Sequence, residues 1–224
     1  MLSLACQGEA RPGGSSEVPV DSLRFLALGD SYTIGESVEP SDRWPEQLST
    51  RLRGEGVPIE SPRVVARTGW TTDELQEGID AADPSGPYSL VTLLIGVNDQ
   101  YRGRPVEEYR GQFAGLLRRA VGLAGGEPAR VLVLSIPDWG VTPFAEGRDR
   151  RTIGEEIDSF NRIARVESGT AAVRWVDVTG VSREVPSHPE LVAQDGLHPS
   201  GEMYARWVDA VLPTVREILG APPV

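Results

Sequence analysis

The stretch "FLALGDSYT", residues 25–33, carries an apolar run straight into Gly29-Asp30-Ser31. A buried strand has no use for a hydroxyl behind an aspartate. The segment is therefore either an ordinary turn or a rigid support that aims a reactive oxygen at a cleft. A serine hydroxyl becomes a useful nucleophile when a neighbouring base, most often histidine, takes its proton. Of the two histidines, His198 lies in "AQDGLHPSG" with Asp195 three residues before it. One tight loop could thus supply the base together with the carboxylate that fixes its tautomer and stabilises the imidazolium. The other reading of His198 is a capping residue on a final helix. His188, in "VPSHPEL", has no aspartate beside it and reads as a loop histidine.

Acyl transfer also needs hydrogen-bond donors for the negative oxygen of a tetrahedral intermediate. The natural candidates are the Ser31 backbone N–H, the Gly69 backbone N–H in "ARTGWTT" and the side-chain amide of Asn98 in "GVND". Glycine lets a backbone approach a ligand closely, although Gly69 also reads as a plain turn residue. Asn98 could equally bond its own backbone in a turn.

Such residues need a scaffold. The apolar, β-rich runs are Leu23–Gly29, Arg63–Ala66, Leu90–Ile95, Arg130–Ile136 and Val173–Val178. "LVTLLIG" and "RVLVLSI" are nearly continuous, as parallel strands covered on both faces must be. Between these runs, helices are expected at Arg43–Arg53, Thr72–Ala82, Val106–Leu123 and Glu155–Glu167, with a last one at Glu202–Leu219. Thr71-Thr72-Asp73-Glu74 forms a capping-box pattern, Ser200 suits an N-cap, and Pro213 is expected to kink the final helix. Strands alternating with helices predict an α/β fold: a doubly wound, three-layer α/β/α arrangement with a five-stranded parallel sheet. Ligands bind such sheets in the crevice outside the carboxyl ends of the strands. Ser31, Asn98 and the Pro137-Asp138-Trp139 turn all fall just past a strand end.

Composition narrows the function. A chain of 224 residues with 39% hydrophobic and 25% charged residues suits one large globular domain. Neither a repeat nor a linker divides it, so residues 21–224 are expected to form a single domain behind a flexible tail at 1–20. A net charge of −11 argues against nucleic acid, and no apolar run approaches the roughly 18 residues of a membrane span. All 22 basic side chains are arginine, and without lysine there can be no P-loop. No G-x-G-x-x-G follows the first strand, so a dinucleotide site has no support. No G-x-S-x-G elbow surrounds Ser31, which sets aside the α/β-hydrolase arrangement. The single cysteine, Cys6, excludes an intrachain disulfide framework and a thiolate zinc site. Its setting, "MLSLACQGEARPGGSSEV", reads either as the end of a truncated lipoprotein signal or as a plain tail. The first reading would make the protein exported, the second cytoplasmic.

"GDS" after the first strand, a glycine after the second, "GVND" after the third and "DGLH" before the last helix occur in one order. That order closely resembles the SGNH (GDSL-type) hydrolase family, over about Leu23 to Leu219. The first block reads "GDSYT" where the family pattern ends in leucine. The resemblance implies Ser31 as nucleophile, Asp195 and His198 as its partners, and Ser31, Gly69 and Asn98 as the oxyanion hole. It further implies a carboxylic ester hydrolase acting on short-chain or lipid-like esters through an acyl-enzyme, with no cofactor or metal. An acyltransferase, thioesterase or carbohydrate deacetylase would use the same residues, and a catalytically silent binding module would keep only the fold. Tyr32, Trp70, Tyr101, Trp139 and Phe144 are expected in loops on the carboxyl-end side, where an apolar pocket would use some of them and the others would pack loops onto the body.

Overall fold

Continuous apolar runs become the interior of a sheet. In the computed structural model, which describes residues 22–221, the strands are β1 (Phe25–Gly29), β2 (Arg63–Ala66), β3 (Leu90–Leu94), β4 (Val131–Leu134) and β5 (Arg174–Val176). The tail at 1–20, with Cys6, lies outside the described residues. All pairings are parallel and the strand order is β2-β1-β3-β4-β5. Every residue of the three central strands is buried, whereas the edge strands β2 and β5 are only partly so. Each expected run contains its strand, with one or two flanking residues spent on turns at most ends.

Five helices match the expected ones: α2 (Trp44–Gly54), α3 (Thr72–Ala82), α5 (Val106–Leu123), α6 (Arg150–Thr170) and α8 (Gly201–Leu219). Three further helices, α1 (Ser31–Ile34), α4 (Val97–Tyr101) and α7 (Thr179–Ser182), are too short to show a period. Helix α2 packs on α8, while α5 packs on both α3 and α6, which gives the two outer layers. Trp44, Trp207, Tyr109, Tyr204, Phe25 and Phe113 are the largest fully buried side chains.

Local chemistry explains the ends. The Thr71 N–H donates to Glu74 Oε2 at 2.9 Å, closing the capping box of α3. Ser200 Oγ accepts from the Met203 N–H at the start of α8, which then continues through Pro213 as one helix. Helix α6 begins five residues before the expected Glu155 because Asp149 caps it, accepting from the Thr152 N–H at 3.1 Å. Gly154 sits inside α6 where a Cβ would lie 3.2 Å from Asp138 Oδ2.

The topology reverses between β1 and β3: the chain runs outward to β2, then returns to the other side of β1. Register makes this reversal useful, because Gly29 is level with both Ala66 of β2 and Leu94 of β3. Three strand ends therefore finish together. Ser31, Gly69 and Asn98 follow them by two, three and four residues, at the switch point where such sheets bind ligands.

One of the five expected aromatics packs onto the body. Trp70 packs over Gly78 of α3, where a Cβ would fall 2.1 Å from its ring. It is a partly buried side chain set against the core rather than a cleft residue. Gly78→Ala is expected to destabilise the fold by about 1–3 kcal/mol through overpacking, read as a lowered denaturant midpoint. Because the Trp70 carbonyl accepts from Asn98 Nδ2 at 2.9 Å, the same variant should also lower any activity that depends on Asn98.

Candidate active site

Ser31 occupies the first position of α1, directly after the N-cap Asp30, whose Oδ1 accepts from the Tyr32 N–H at 3.0 Å. Gly29 permits the tight exit from β1, since a Cβ there would lie 2.1 Å from Thr33 Oγ1 and 2.5 Å from the Leu94 carbonyl oxygen. The strand thus ends on a turn that fixes the serine on the cleft wall, 5% exposed.

His198 and Asp195 come from a closed loop. The Ala193 N–H donates to the His198 carbonyl at 2.8 Å and the Ser200 N–H to the Leu191 carbonyl at 2.8 Å, so both ends of the segment are pinned. Gly196, at φ 74°, makes the turn between the two side chains. His198 Nδ1 lies 2.6 Å from Asp195 Oδ2. A carboxylate there accepts, which places the proton on Nδ1 and leaves Nε2 free to take one. Asp195 Oδ1 accepts from the Leu197 and His198 N–H groups at 2.9 and 3.0 Å, and Ser37 Oγ donates to Oδ2 at 2.7 Å. Partial burial pushes the Asp195 carboxyl upward, but these four hydrogen bonds outweigh it and hold the pKa at about 2. The loop therefore carries a fixed negative charge behind the imidazole.

The candidate donors line the same cleft. Gly69 has φ 84°, a left-handed conformation suited to glycine, and its carbonyl accepts from Arg102 Nη2 at 2.6 Å. Arg102 Nη1 also reaches Glu74 at 3.2 Å, so α3 and α4 together hold this loop. Asn98, in the first turn of α4, spends one amide hydrogen on the Trp70 carbonyl. A hydrogen bond between Thr68 Oγ1 and Glu36 Oε2 ties the Gly69 loop to the segment after α1.

Ser31, Gly69, Asn98 and His198 line one cleft of about 190 Å³, with Asp195 behind the histidine. Tyr32, Tyr101, Trp139 and Phe144 line it too; of the expected aromatics, Trp70 alone does not. His188 is exposed and pairs with Glu190 at 3.0 Å, as suits a loop histidine. A wider depression of about 560 Å³ between α2 and α8 is spanned by the Arg51–Asp209 pair at 3.5 Å; it holds no histidine. Ser37, Arg102 and Thr68 carry no motif, and only Arg102, one helical turn beyond Asn98, had a position in sequence that could point to its role.

Two buried carboxyls lie beneath the cleft. Burial raises Asp30 to about 8, against the Tyr32 N–H, which lowers it, and with the nearby Asp99 adding to the rise. Burial likewise raises Asp99 to about 6, opposed by the Thr72 hydroxyl and N–H. Asp30 Oδ2 has no hydrogen-bond partner, as suits a neutral carboxyl better than a charged one. The folded chain holds the Asp30 proton between 3.8 and about 8 while the unfolded chain has lost it. Stability therefore falls across this window as pH rises, by up to about 1.4 kcal/mol per pH unit from this group. Asp30→Asn is expected to flatten that slope, so that the variant gains on the parent between pH 6 and 8 in urea unfolding. Equal slopes would place the proton elsewhere.

The blocks and the fold also agree with known proteins. Residues 27–206 match the model of the GDSL-like Lipase/Acylhydrolase family. No curated protein matches the sequence. The crystal structure of TesA is similar at a TM-score of 0.69 and 22% identity, covering 88% of this chain and 99% of that one. The esterase EstA from Pseudoalteromonas sp. gives 0.67 at 16% identity, over 88% and 98% of the two chains. Axe2, an acetylxylan esterase from Geobacillus stearothermophilus, gives 0.65 at 20% identity, over 86% and 94%. These likenesses establish a shared α/β architecture. With the sequence match running through every block from the first strand into the last helix, the chain belongs to the GDSL-like lipase/acylhydrolase family.

Proposed function

We propose that the cleft hydrolyses carboxylic esters of small molecules through an acyl-enzyme on Ser31. The observation that carries this reading is the 2.6 Å contact between Asp195 and the His198 ring in the cleft that Ser31 lines. His198 Nε2 takes the Ser31 proton as Oγ attacks the ester carbonyl, and the departing alcohol receives that proton. A water, activated by the same nitrogen, then releases the acid and restores the serine. The Ser31 and Gly69 N–H groups and the remaining Asn98 amide hydrogen receive the negative oxygen. No step requires a metal or cofactor.

Cleft size supports a small acyl group. A volume of about 190 Å³ is close to that of a cavity that takes up one benzene ring, about 150 Å³, enough for a short chain or one ring.

A fluorophosphonate probe tests the assignment. EstA has been captured inhibited by monoethylphosphonate, and the same reagent class should label Ser31 here. Labelling is expected at Ser31 in the parent and absent in Ser31→Ala, together with turnover of p-nitrophenyl esters that declines as the acyl chain lengthens. No label and no ester turnover would refute the proposal. Product analysis with an added acceptor alcohol separates hydrolysis from acyl transfer.

A further inference from the structure

Among the described residues three large hydrophobic side chains are exposed, and two of them, Tyr101 at 47% and Phe144 at 38%, stand at one end of the cleft. Trp139 completes the group: its ring centroid is 5.4 Å from that of Tyr101 and 5.9 Å from that of Phe144, both edge-on. The three rings pack on one another and all line the cleft that Ser31 also lines.

The walls are braced. Trp139 Nε1 donates to Gln100 Oε1 at 2.8 Å, and Gln100 Nε2 in turn donates to Glu156 at 2.7 Å. Tyr101 ends α4, three residues after Asn98. The Phe144 N–H donates to the Gly196 carbonyl at 2.9 Å, joining this end of the cleft to the loop that carries Asp195 and His198. Ring edges and faces fixed in this way accept a further ring in tilted or edge-on geometry.

Above the rings sits Arg148, its guanidinium carbon 5.4, 5.3 and 5.0 Å from the centroids of Tyr101, Trp139 and Phe144. Its side chain makes one hydrogen bond, to the Tyr101 hydroxyl at 3.4 Å, and among the described residues it has no carboxylate partner. The adjacent Asp149 is turned away, with both its oxygens on Thr152. The guanidinium fork is thus free to receive a carboxylate from outside. In a chain of net charge −11, an anionic substrate needs such a local cation.

We propose that Tyr101, Trp139, Phe144 and Arg148 form a specificity subsite for an aromatic ester whose ring bears an anionic group. The rings hold the planar part and Arg148 holds the charge. This inference rests on the hydrolase reading of the cleft and adds its substrate class.

Two pairs of esters, matched in shape and differing in charge, test it. Monomethyl terephthalate against methyl 4-acetylbenzoate places the ring in the acyl part. The acetate ester of 4-hydroxybenzoate against 4-acetoxyacetophenone places it in the alcohol. In at least one pair the anionic ester is expected to have a kcat/KM about tenfold higher, the size of one charge-assisted hydrogen bond. Arg148→Gln should bring that ratio near one, Arg148→Lys should restore part of it, and added salt should weaken it. Ratios unaltered by Arg148→Gln in both pairs, or no preference for charge in either, would overturn the subsite.

Binding of the same esters to Ser31→Ala, followed by tryptophan fluorescence, repeats the comparison without turnover. Arg148-dependent binding without hydrolysis by the parent would leave the subsite standing and remove the hydrolase reading. Hydrolysis indifferent to Arg148 would do the reverse.

Discussion

His198→Ala is expected to lower ester turnover by about 10⁶, and adding Ser31→Ala to it should lower turnover little further, because a nucleophile and its base act as one unit. Their setting explains the coupling. Ser31 is held on the first turn of α1, and of the two histidines only His198 lines its cleft, His188 being paired with Glu190. His198 in turn is fixed by a loop closed at both ends. Removing either side chain ends the proton transfer, and the oxyanion donors with substrate binding supply what remains, about 10³–10⁴ over water. The check is kcat for p-nitrophenyl butyrate in both single variants and the double, with far-UV circular dichroism showing each folded. Losses that multiplied in the double variant would give the two residues separate roles and break the proposed proton path.

Much of this arrangement can be read from the chain because its signals are local. Helices α3 and α5 carry a capping box and a long apolar stripe, and their limits agree with expectation. The central strands are buried on both faces, so their composition announces them. The site is legible for a related reason: Ser31, Gly69 and Asn98 follow strand ends, and a parallel sheet gathers such ends on one side.

What stays hidden depends on pairing across distance. Ser37 meets Asp195 from 158 positions away, and no local pattern records that contact. Trp70 and Tyr101 both lie a few residues past a strand end, yet the Trp70 ring lies over Gly78, in space that a Cβ there would fill. Arg148 falls in a segment without periodicity, and its position over three rings appears only when the chain between β4 and α6 folds back toward α4.

Asp195→Asn should lower kcat by about 10⁴ while leaving the fold intact, through a reversal of the histidine tautomer. Hydrogen bonding leaves the new side chain no choice of orientation. The position of Oδ1 faces two backbone donors, Leu197 and His198 N–H, so the amide oxygen must stand there. The amide nitrogen then replaces Oδ2, where the His198 ring and the Ser37 hydroxyl both donate in the parent. The hydroxyl can rotate and accept, but the imidazole can accept through Nδ1 only by moving its proton to Nε2. A protonated Nε2 cannot take the Ser31 proton, so the base is lost although every atom keeps its place. Ser37→Ala supplies the contrast: it removes one donor to Oδ2 but leaves the tautomer alone, so its kcat should fall by less than about tenfold. Nitrogen NMR of the ring, comparing the parent with Asp195→Asn, reads the proton position directly. A variant that kept the proton on Nδ1 and still lost activity would show that Asp195 acts through its charge rather than through orientation.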